Sequence, residues 1–231
     1  MSDTRTMFDR IAPSYDRLNH LMSMNVDRRW RRRAVRELVD GTPQRILDVA
    51  CGTGVSTIAV AKAAAEGATV VGVDISEGMM SMVMDKSRKE GVAERIRLQV
   101  ADAEVLPFGD SDFDRVSCAF GVRNFTNKEQ GLREFFRVLS PGGKLVILEL
   151  SVPRNKVVRF FYDLYFSHIL PWIGGRVSGD KSAYRYLPAS VHAFPPPEDF
   201  MRMLSEAGFS AVRHRSLSLG LCRLFVGEKS C

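Results

Sequence analysis

No apolar run in this chain approaches the roughly 20 residues that a helix needs to cross a bilayer. The opening residues, Met1-Ser2-Asp3-Thr4-Arg5, lack the apolar core of a secretory signal. Cysteine is sparse and scattered: Cys51, Cys118, Cys222 and Cys231 form no C-x-x-C pair. The four histidines (His20, His168, His192, His214) fall at no ligand spacing. Neither a disulfide framework nor a zinc site is therefore indicated. Internal repeats and low-complexity tracts are absent as well. These absences leave a cytoplasmic, metal-free globular protein as the expectation. Its 45% hydrophobic and 26% charged content agrees with that. A length of 231 residues suits one domain with a substantial core.

Positive charge is in excess, with a net +6 and a pI near 9.3. Much of it is local: Arg28, Arg29, Arg31, Arg32, Arg33 and Arg36 surround Trp30. Three readings stand: a solvated helix face, attraction to anionic lipid headgroups with Trp30 at the interface, or nucleic-acid binding. Composition does not separate the last two.

The most informative stretch is Arg45-Ile46-Leu47-Asp48-Val49-Ala50-Cys51-Gly52-Thr53-Gly54. An apolar strand meets an acid and then a turn whose two glycines tolerate positive φ and close ligand approach. A helical pattern follows, and the next apolar strand, Thr69-Val70-Val71-Gly72-Val73-Asp74, ends in a carboxylate. An acid about 20 residues beyond the glycines can accept hydrogen bonds from both hydroxyls of a ribose. A dinucleotide fingerprint would place a third glycine where Thr57 stands. A pyrophosphate would also avoid an acid such as Asp48 just before the turn. An acid there suits a ligand with an ammonium group, which favours S-adenosylmethionine over NAD.

Residues 6–40 read as helices, with Ile11, Tyr15, Leu18 and Met22 at helical spacing and Pro13 near a helix start. Strands are predicted at 45–50, 69–74, 96–101, 113–119 and 144–150. Leu132, Phe135, Phe136 and Leu139 mark an amphipathic helix over 127–139 that Pro141-Gly142-Gly143 stops. The alternation implies an α/β doubly wound sheet, mostly parallel, with ligands at the carboxyl ends of the strands. Residues 152–197 interrupt that rhythm with Phe160, Phe161, Tyr162, Tyr165, Phe166, Trp172, Tyr184, Tyr186 and Phe194. A connector of this length is usually functional. A helix at 198–207 and strands at 211–217 and 221–227 close the pattern, the last pair antiparallel. The expected division of this single domain is a helical cap (1–40), a cofactor-binding core (45–150), a substrate cover (152–197) and a closing segment (198–229).

Asp48-Val49-Ala50-Cys51-Gly52-Thr53-Gly54, Asp74, Asp102-Ala103-Glu104 and Pro141-Gly142-Gly143 resemble the landmarks of class I S-adenosylmethionine-dependent methyltransferases, whose Rossmann-like fold they imply. Tyr15-Asp16-Arg17-Leu18-Asn19, Ser23, Trp30, Phe120-Gly121-Val122-Arg123-Asn124-Phe125 and Tyr184-Arg185-Tyr186-Leu187 narrow the likeness to the menaquinone/ubiquinone biosynthesis C-methyltransferases. The resemblance runs from about residue 6 to Lys229. The chain departs from the family pattern at Asp27, where His is usual, and at Ser190-Val191-His192-Ala193-Phe194-Pro195. The second departure bears on substrate detail.

The resemblance implies methyl transfer to a ring carbon of a polyprenylated quinol, most simply demethylmenaquinol. Methylation of a benzoquinol in ubiquinone synthesis and RNA methylation stand as alternatives. Asp74 would hold the ribose, and Gly52, Thr53 and Gly54 would admit the methionine portion. Asp48 would attract its ammonium, Asp102 and Ala103 would meet the adenine, and Ala119 would border the donor. Asp102 also suits a strand-end cap. Arg123 would stabilise a developing phenolate, with Asn124 orienting the quinol and Tyr15 beside them. A structural pairing of Arg123 with Glu149 is the competing reading. The aromatic cover would offer an apolar groove to the isoprenoid tail, and the protein would meet a membrane peripherally. No nucleic acid and no metal are expected as partners, and a homo-oligomer is left open.

Overall fold

Among the described residues, seven strands assemble into one sheet that helices cover on either side. The computed structural model describes residues 6–10, 12, 15–16, 23–166 and 181–231, with the side chains of 181–185 excepted. The strands are β1 (Arg45–Val49), β2 (Thr69–Asp74), β3 (Ile96–Val100), β4 (Phe113–Ala119), β5 (Leu139–Leu150), β6 (Ser210–Leu217) and β7 (Cys222–Glu228). Their order is β3-β2-β1-β4-β5-β7-β6. Strands β1 to β5 pair in parallel, and β7 runs antiparallel to both β5 and β6. The strand order reverses between β1 and β4. A sheet of this kind opens its ligand crevice at the carboxyl ends on either side of such a reversal.

The helices are α1 (Asp27–Leu38), α2 (Val55–Ala63), α3 (Glu77–Met80), α4 (Val83–Lys89), α5 (Lys128–Val138), α6 (Lys156–Leu164), α7 (Lys181–His192) and α8 (Pro197–Glu206). Alternation along each strand divides the core. Leu47 and Val49 of β1 and Ile147 of β5 face Leu132 and Phe135 of α5 and Phe200 of α8. Ile46, Val146 and Leu148 face Trp30 and Leu38 of α1 and Ile58 of α2. Local signals set the helix starts. Asn127 accepts from the Gln130 amide ahead of α5, and Asn155 accepts from the Val157 and Val158 amides ahead of α6.

Three expectations need correction. The helix predicted over 127–139 ends at Val138, and β5 begins at once with Leu139, so Pro141-Gly142-Gly143 lies inside the strand. Tertiary pairing explains this: Leu139 pairs with Phe113, and the Gly142 amide and Gly143 carbonyl bond to Lys229 at 2.8 and 3.0 Å. Trp30 is no interfacial anchor. It is 7% exposed, and its indole N–H donates to Ser218 Oγ at 2.9 Å. It shares the inner stripe of α1 with Ala34 and Leu38, while Arg28, Arg29, Arg32, Arg33 and Arg36 are exposed. In the aromatic segment Tyr162 is buried, whereas Phe160 and Phe161 are 65% and 62% exposed. Trp172, Ile11, Pro13, Leu18 and Met22, and the side chain of Tyr184, lie outside the described residues. Among the described residues no helix is long and apolar enough to cross a membrane.

Gly54 shows how tightly α2 is seated. Its φ is 81°, and a Cβ there would lie 2.6 Å from Val83 Cγ1. Gly54→Ala should destabilise the fold by about 2–4 kcal/mol, combining the strained φ with overpacking. The loss should shrink when Val83→Ala makes room. Urea unfolding of the two single variants and the double variant checks this, and strictly additive losses would show that the Val83 contact is not the cause.

Candidate functional site

The loops leaving β1 and β4 meet at the reversal in strand order. Ala50 and Phe120 both hold positive φ, 53° and 63°. Side chains avoid that region unless the surroundings enforce it, and such strain gathers at functional sites. Gly121 makes the meeting feasible, because a Cβ there would lie 2.5 Å from the Ala50 Cβ and 2.8 Å from Cys118 Sγ. The backbone of the β1 loop is thereby exposed along a cleft rather than screened by side chains.

Three of the carboxylates that line this cleft stand at the ends of β1, β2 and β3. Asp74, at the tip of β2, accepts from the Gly52 amide at 2.8 Å and the Ser76 amide at 2.9 Å. Each of its oxygens keeps a further lone pair for a hydroxyl. Asp48 is buried and is held by two hydroxyls, Thr57 and Ser117, each at 2.7 Å. Thr57, where a dinucleotide site would have its third glycine, therefore serves the acid below the loop. Burial raises the pKa of Asp48 above the ordinary carboxylate range and does the same to Asp74. Asp102 accepts from the Glu104 amide at 2.9 Å, a local cap at the β3 end that still leaves it on the cleft wall.

The cleft opens into a cavity with an empty volume of about 1090 Å³, part of it continuous with solvent. Asp48, Gly52, Thr53, Asp74, Asp102, Ala103, Ala119, Tyr15 and Asn124 all line it. Gly54 and Arg123 do not. Gly54 turns the chain into α2 against Val83. Arg123 sits behind the wall with its side chain 5% exposed, 2.8 Å from the fully buried Glu149 carboxylate. The same guanidinium donates to the Phe120 carbonyl, and Glu149 also accepts from the Arg123 amide at 3.1 Å. Burial opposes the arginine's charge, but Glu149 and the nearby Tyr15 outweigh it, so Arg123 stays protonated above its usual value. Asn124 takes its orientation from Tyr186, whose hydroxyl donates to Asn124 Oδ1 at 3.0 Å. The amide NH₂ is then the end of Asn124 that can donate elsewhere.

Sequence patterns gave no site role to several residues at this wall and its rim. Asp16 accepts from Thr53 Oγ1 and from Lys86, and Lys86 also donates to the Thr53 carbonyl at 3.0 Å. Asp9 accepts from Ser76 Oγ and, at 3.2 Å, from the Gly78 amide. Phe8 packs edge-on against Tyr15 and Tyr186, with ring centroids 6.1 and 6.5 Å apart. The N-terminal segment thus covers the cavity. Its acids reach partners 37 to 70 residues away, beyond any local motif. Arg31 of α1 also reaches the wall and donates to Ser56 Oγ.

The wall fits a nucleoside joined to a zwitterionic tail. Asp74 and Asp102 stand at the β2 and β3 ends, and Asp48 lies below the glycine turn, so that acceptors for hydroxyl, amine and ammonium groups share one cavity. No group of His, Cys, Asp and Glu among the described residues could hold a metal ion. The profile of the ubiE/COQ5 methyltransferase family matches residues 2–229. The chain belongs to this family. S-adenosylmethionine is accordingly its methyl donor. A "ubiquinone/menaquinone biosynthesis C-methyltransferase UbiE" of Syntrophotalea carbinolica is 48% identical over 99% of the chain and 94% of its own length. A "demethylmenaquinone methyltransferase" of Thermus thermophilus is 46% identical over 96% of the chain and its own full length. Among solved structures, an S-adenosylmethionine-dependent methyltransferase of Aquifex aeolicus superposes with a TM-score of 0.58 at 20% identity, covering 86% of this chain and 88% of its own. The [4+2]-cyclase SpnF superposes with a TM-score of 0.72 at 19% identity, covering 98% and 96%. These two likenesses concern the fold alone.

Asp48 offers a test in which stability and ligand binding move apart. An unfolded Asp titrates near 3.9, and the folded value is raised. Above pH 4 the folded apo-protein therefore binds protons more tightly than the unfolded chain, and stability falls as pH rises through the folded pKa. Asp48→Asn should keep or raise the thermal midpoint at pH 7 while weakening donor binding by about 1–3 kcal/mol. Scanning calorimetry and titration calorimetry on one preparation read both quantities.

Proposed function

We propose that this enzyme transfers a methyl group from S-adenosylmethionine to a ring carbon of a demethylated polyprenylated quinol, demethylmenaquinol being the acceptor the relatives' names favour. The carrying observation is Asn124. It stands on the cavity wall at the carboxyl edge of β4 with its carbonyl oxygen engaged by Tyr186, which leaves its NH₂ to donate to a bound oxygen. The donor supplies a methyl made electrophilic by the sulfonium, which leaves orientation and a dry site to the protein. A quinol ring carbon becomes nucleophilic as its hydroxyl loses a proton, and a donor aimed at that oxygen stabilises the phenolate. Asn124 fills that role, with the Tyr15 phenol beside it on the same wall. Arg123 contributes positive charge from behind the wall, within electrostatic reach of Tyr15 and Tyr186. Its fork also fixes the Val122–Asn124 turn through Glu149. Asp74 holds the ribose and Asp102 with Ala103 the adenine.

The decisive assay incubates the enzyme and labelled donor with demethylated naphthoquinol and benzoquinol and determines the product mass. Turnover should require the reduced ring, since a quinone has no hydroxyl to ionise. Equal turnover of strictly oxidised acceptor would overturn the mechanism. Arg123→Ala should cost about 3–5 kcal/mol of stability, because it leaves Glu149 buried without its partner. In protein that remains folded, kcat should fall while donor affinity holds.

The acceptor's tail places the enzyme at a membrane surface, on the cytoplasmic side. Helix α6 supports this reading. Val157, Phe160, Phe161 and Leu164 are exposed in one apolar face, and the exposed Lys156 and Arg159 flank it. Aromatic residues bordered by cations match an anionic lipid surface. Phe160→Ser with Phe161→Ser should weaken binding to phosphatidylglycerol vesicles by at least about tenfold. Activity on a short-tailed, water-soluble quinol should be retained. Unchanged vesicle binding would remove α6 from the interface.

A further inference from the structure

Methionine's amino-acid end carries two charges, an ammonium and a carboxylate. Asp48 meets the ammonium. A carboxylate brought into the same cavity needs a cation, and among the described residues lining the wall Arg31 carries the one positive charge. It arrives from α1, on the same side of the sheet as Asp48, and lies within electrostatic reach of that acid.

The Arg31 guanidinium is held as a receptor is held. One terminal nitrogen donates to Ser56 Oγ, in the first turn of α2. The carbon at its centre lies 4.8 Å from the centroid of the Phe120 ring, which supports the plane from one face. Nε is buried without a hydrogen-bond partner and lies 3.6 Å from Asp27 Oδ2, in ion-pair range only. Burying a guanidinium with its donors part-used is unfavourable unless an anion completes it. The first turn of α2, with Val55 and Ser56, borders the same cavity, and a helix N-terminus favours negative charge.

We propose that Arg31 binds the carboxylate of the donor's methionine portion, forming with Asp48 a paired receptor for the amino-acid zwitterion. This rests on the assignment of S-adenosylmethionine to the cavity. It gives α1 a task in ligand selection, since the residue that reads the carboxylate comes from outside the glycine loop. The carboxylate stays on the product, so Arg31 should hold S-adenosylhomocysteine equally.

The test is selectivity among donor analogues, read by titration calorimetry on the full chain. Arg31→Gln should lose about 10- to 100-fold in affinity for both S-adenosylmethionine and S-adenosylhomocysteine. For decarboxylated S-adenosylmethionine and for 5′-methylthioadenosine, which lack the carboxylate, the change should stay within about twofold. Arg31→Lys should recover part of the loss, keeping the charge without the planar fork. Equal losses for all four ligands would mean that Arg31 acts only through loop packing at Ser56, and no loss would mean no contact. Either result overturns the proposal. Wild-type protein that failed to bind S-adenosylmethionine would instead refute the donor assignment itself. The thermal midpoint of each variant, taken without ligand, separates a damaged fold from a damaged site.

Discussion

Everything at the carboxyl edge depends on two backbones touching where the strand order reverses. The β1 and β4 loops approach so closely at Ala50 and Gly121 that a single added carbon would lie 2.5 Å from its neighbour. That closeness fixes the direction in which Phe120 and Asn124 leave β4. Beside this contact, Asp74 gathers amides from both the β1 and β2 loops. Positive φ at Ala50 and Phe120 is the accompanying strain, sustained by the core layers on both faces of the sheet.

Charges buried beside this edge are handled in two different ways. Asp48 has no ion-pair partner among the described residues, though Arg31 acts on it from a distance. Two hydroxyls hold it, which orients the carboxylate yet leaves its desolvation largely uncompensated in the apo-protein. Arg123 and Glu149 compensate one another directly, and each also holds backbone. The first arrangement is poised for a ligand's charge. The second sets charge against charge behind the wall, with Arg123 off the cavity lining and Asn124 on it. Energetically, a satisfied buried pair adds little over an apolar filling but is severe to break.

The sheet was legible because apolar strands alternate with helix-period segments, and that pattern survives without any tertiary information. The donor side was legible because the β1 loop, Asp74 and Asp102 sit at fixed offsets along the chain. Other features depend on which face of a helix meets the core. Trp30 among arginines suggests a lipid anchor until α1 is docked and its stripe with Ala34 and Leu38 turns inward. Phe160 and Phe161 suggest a groove lining until α6 is placed and they turn outward. Asp9, Asp16 and Arg31 offered no pattern, since their partners lie on other elements and long-range hydrogen bonds leave no periodic trace. Leu139 began a strand instead of ending a helix because its partners, Phe113 and the Lys229 ammonium, come from distant sequence.

The N-terminal cover has a kinetic meaning. Asp16 is tied to Thr53 and Lys86, and Asp9 to Ser76 and Gly78, by polar contacts at the rim. Such contacts exchange readily for water, unlike an apolar seam of the same extent. Release of the spent donor would then require breaking only these rim contacts, with the sheet and its two core layers intact.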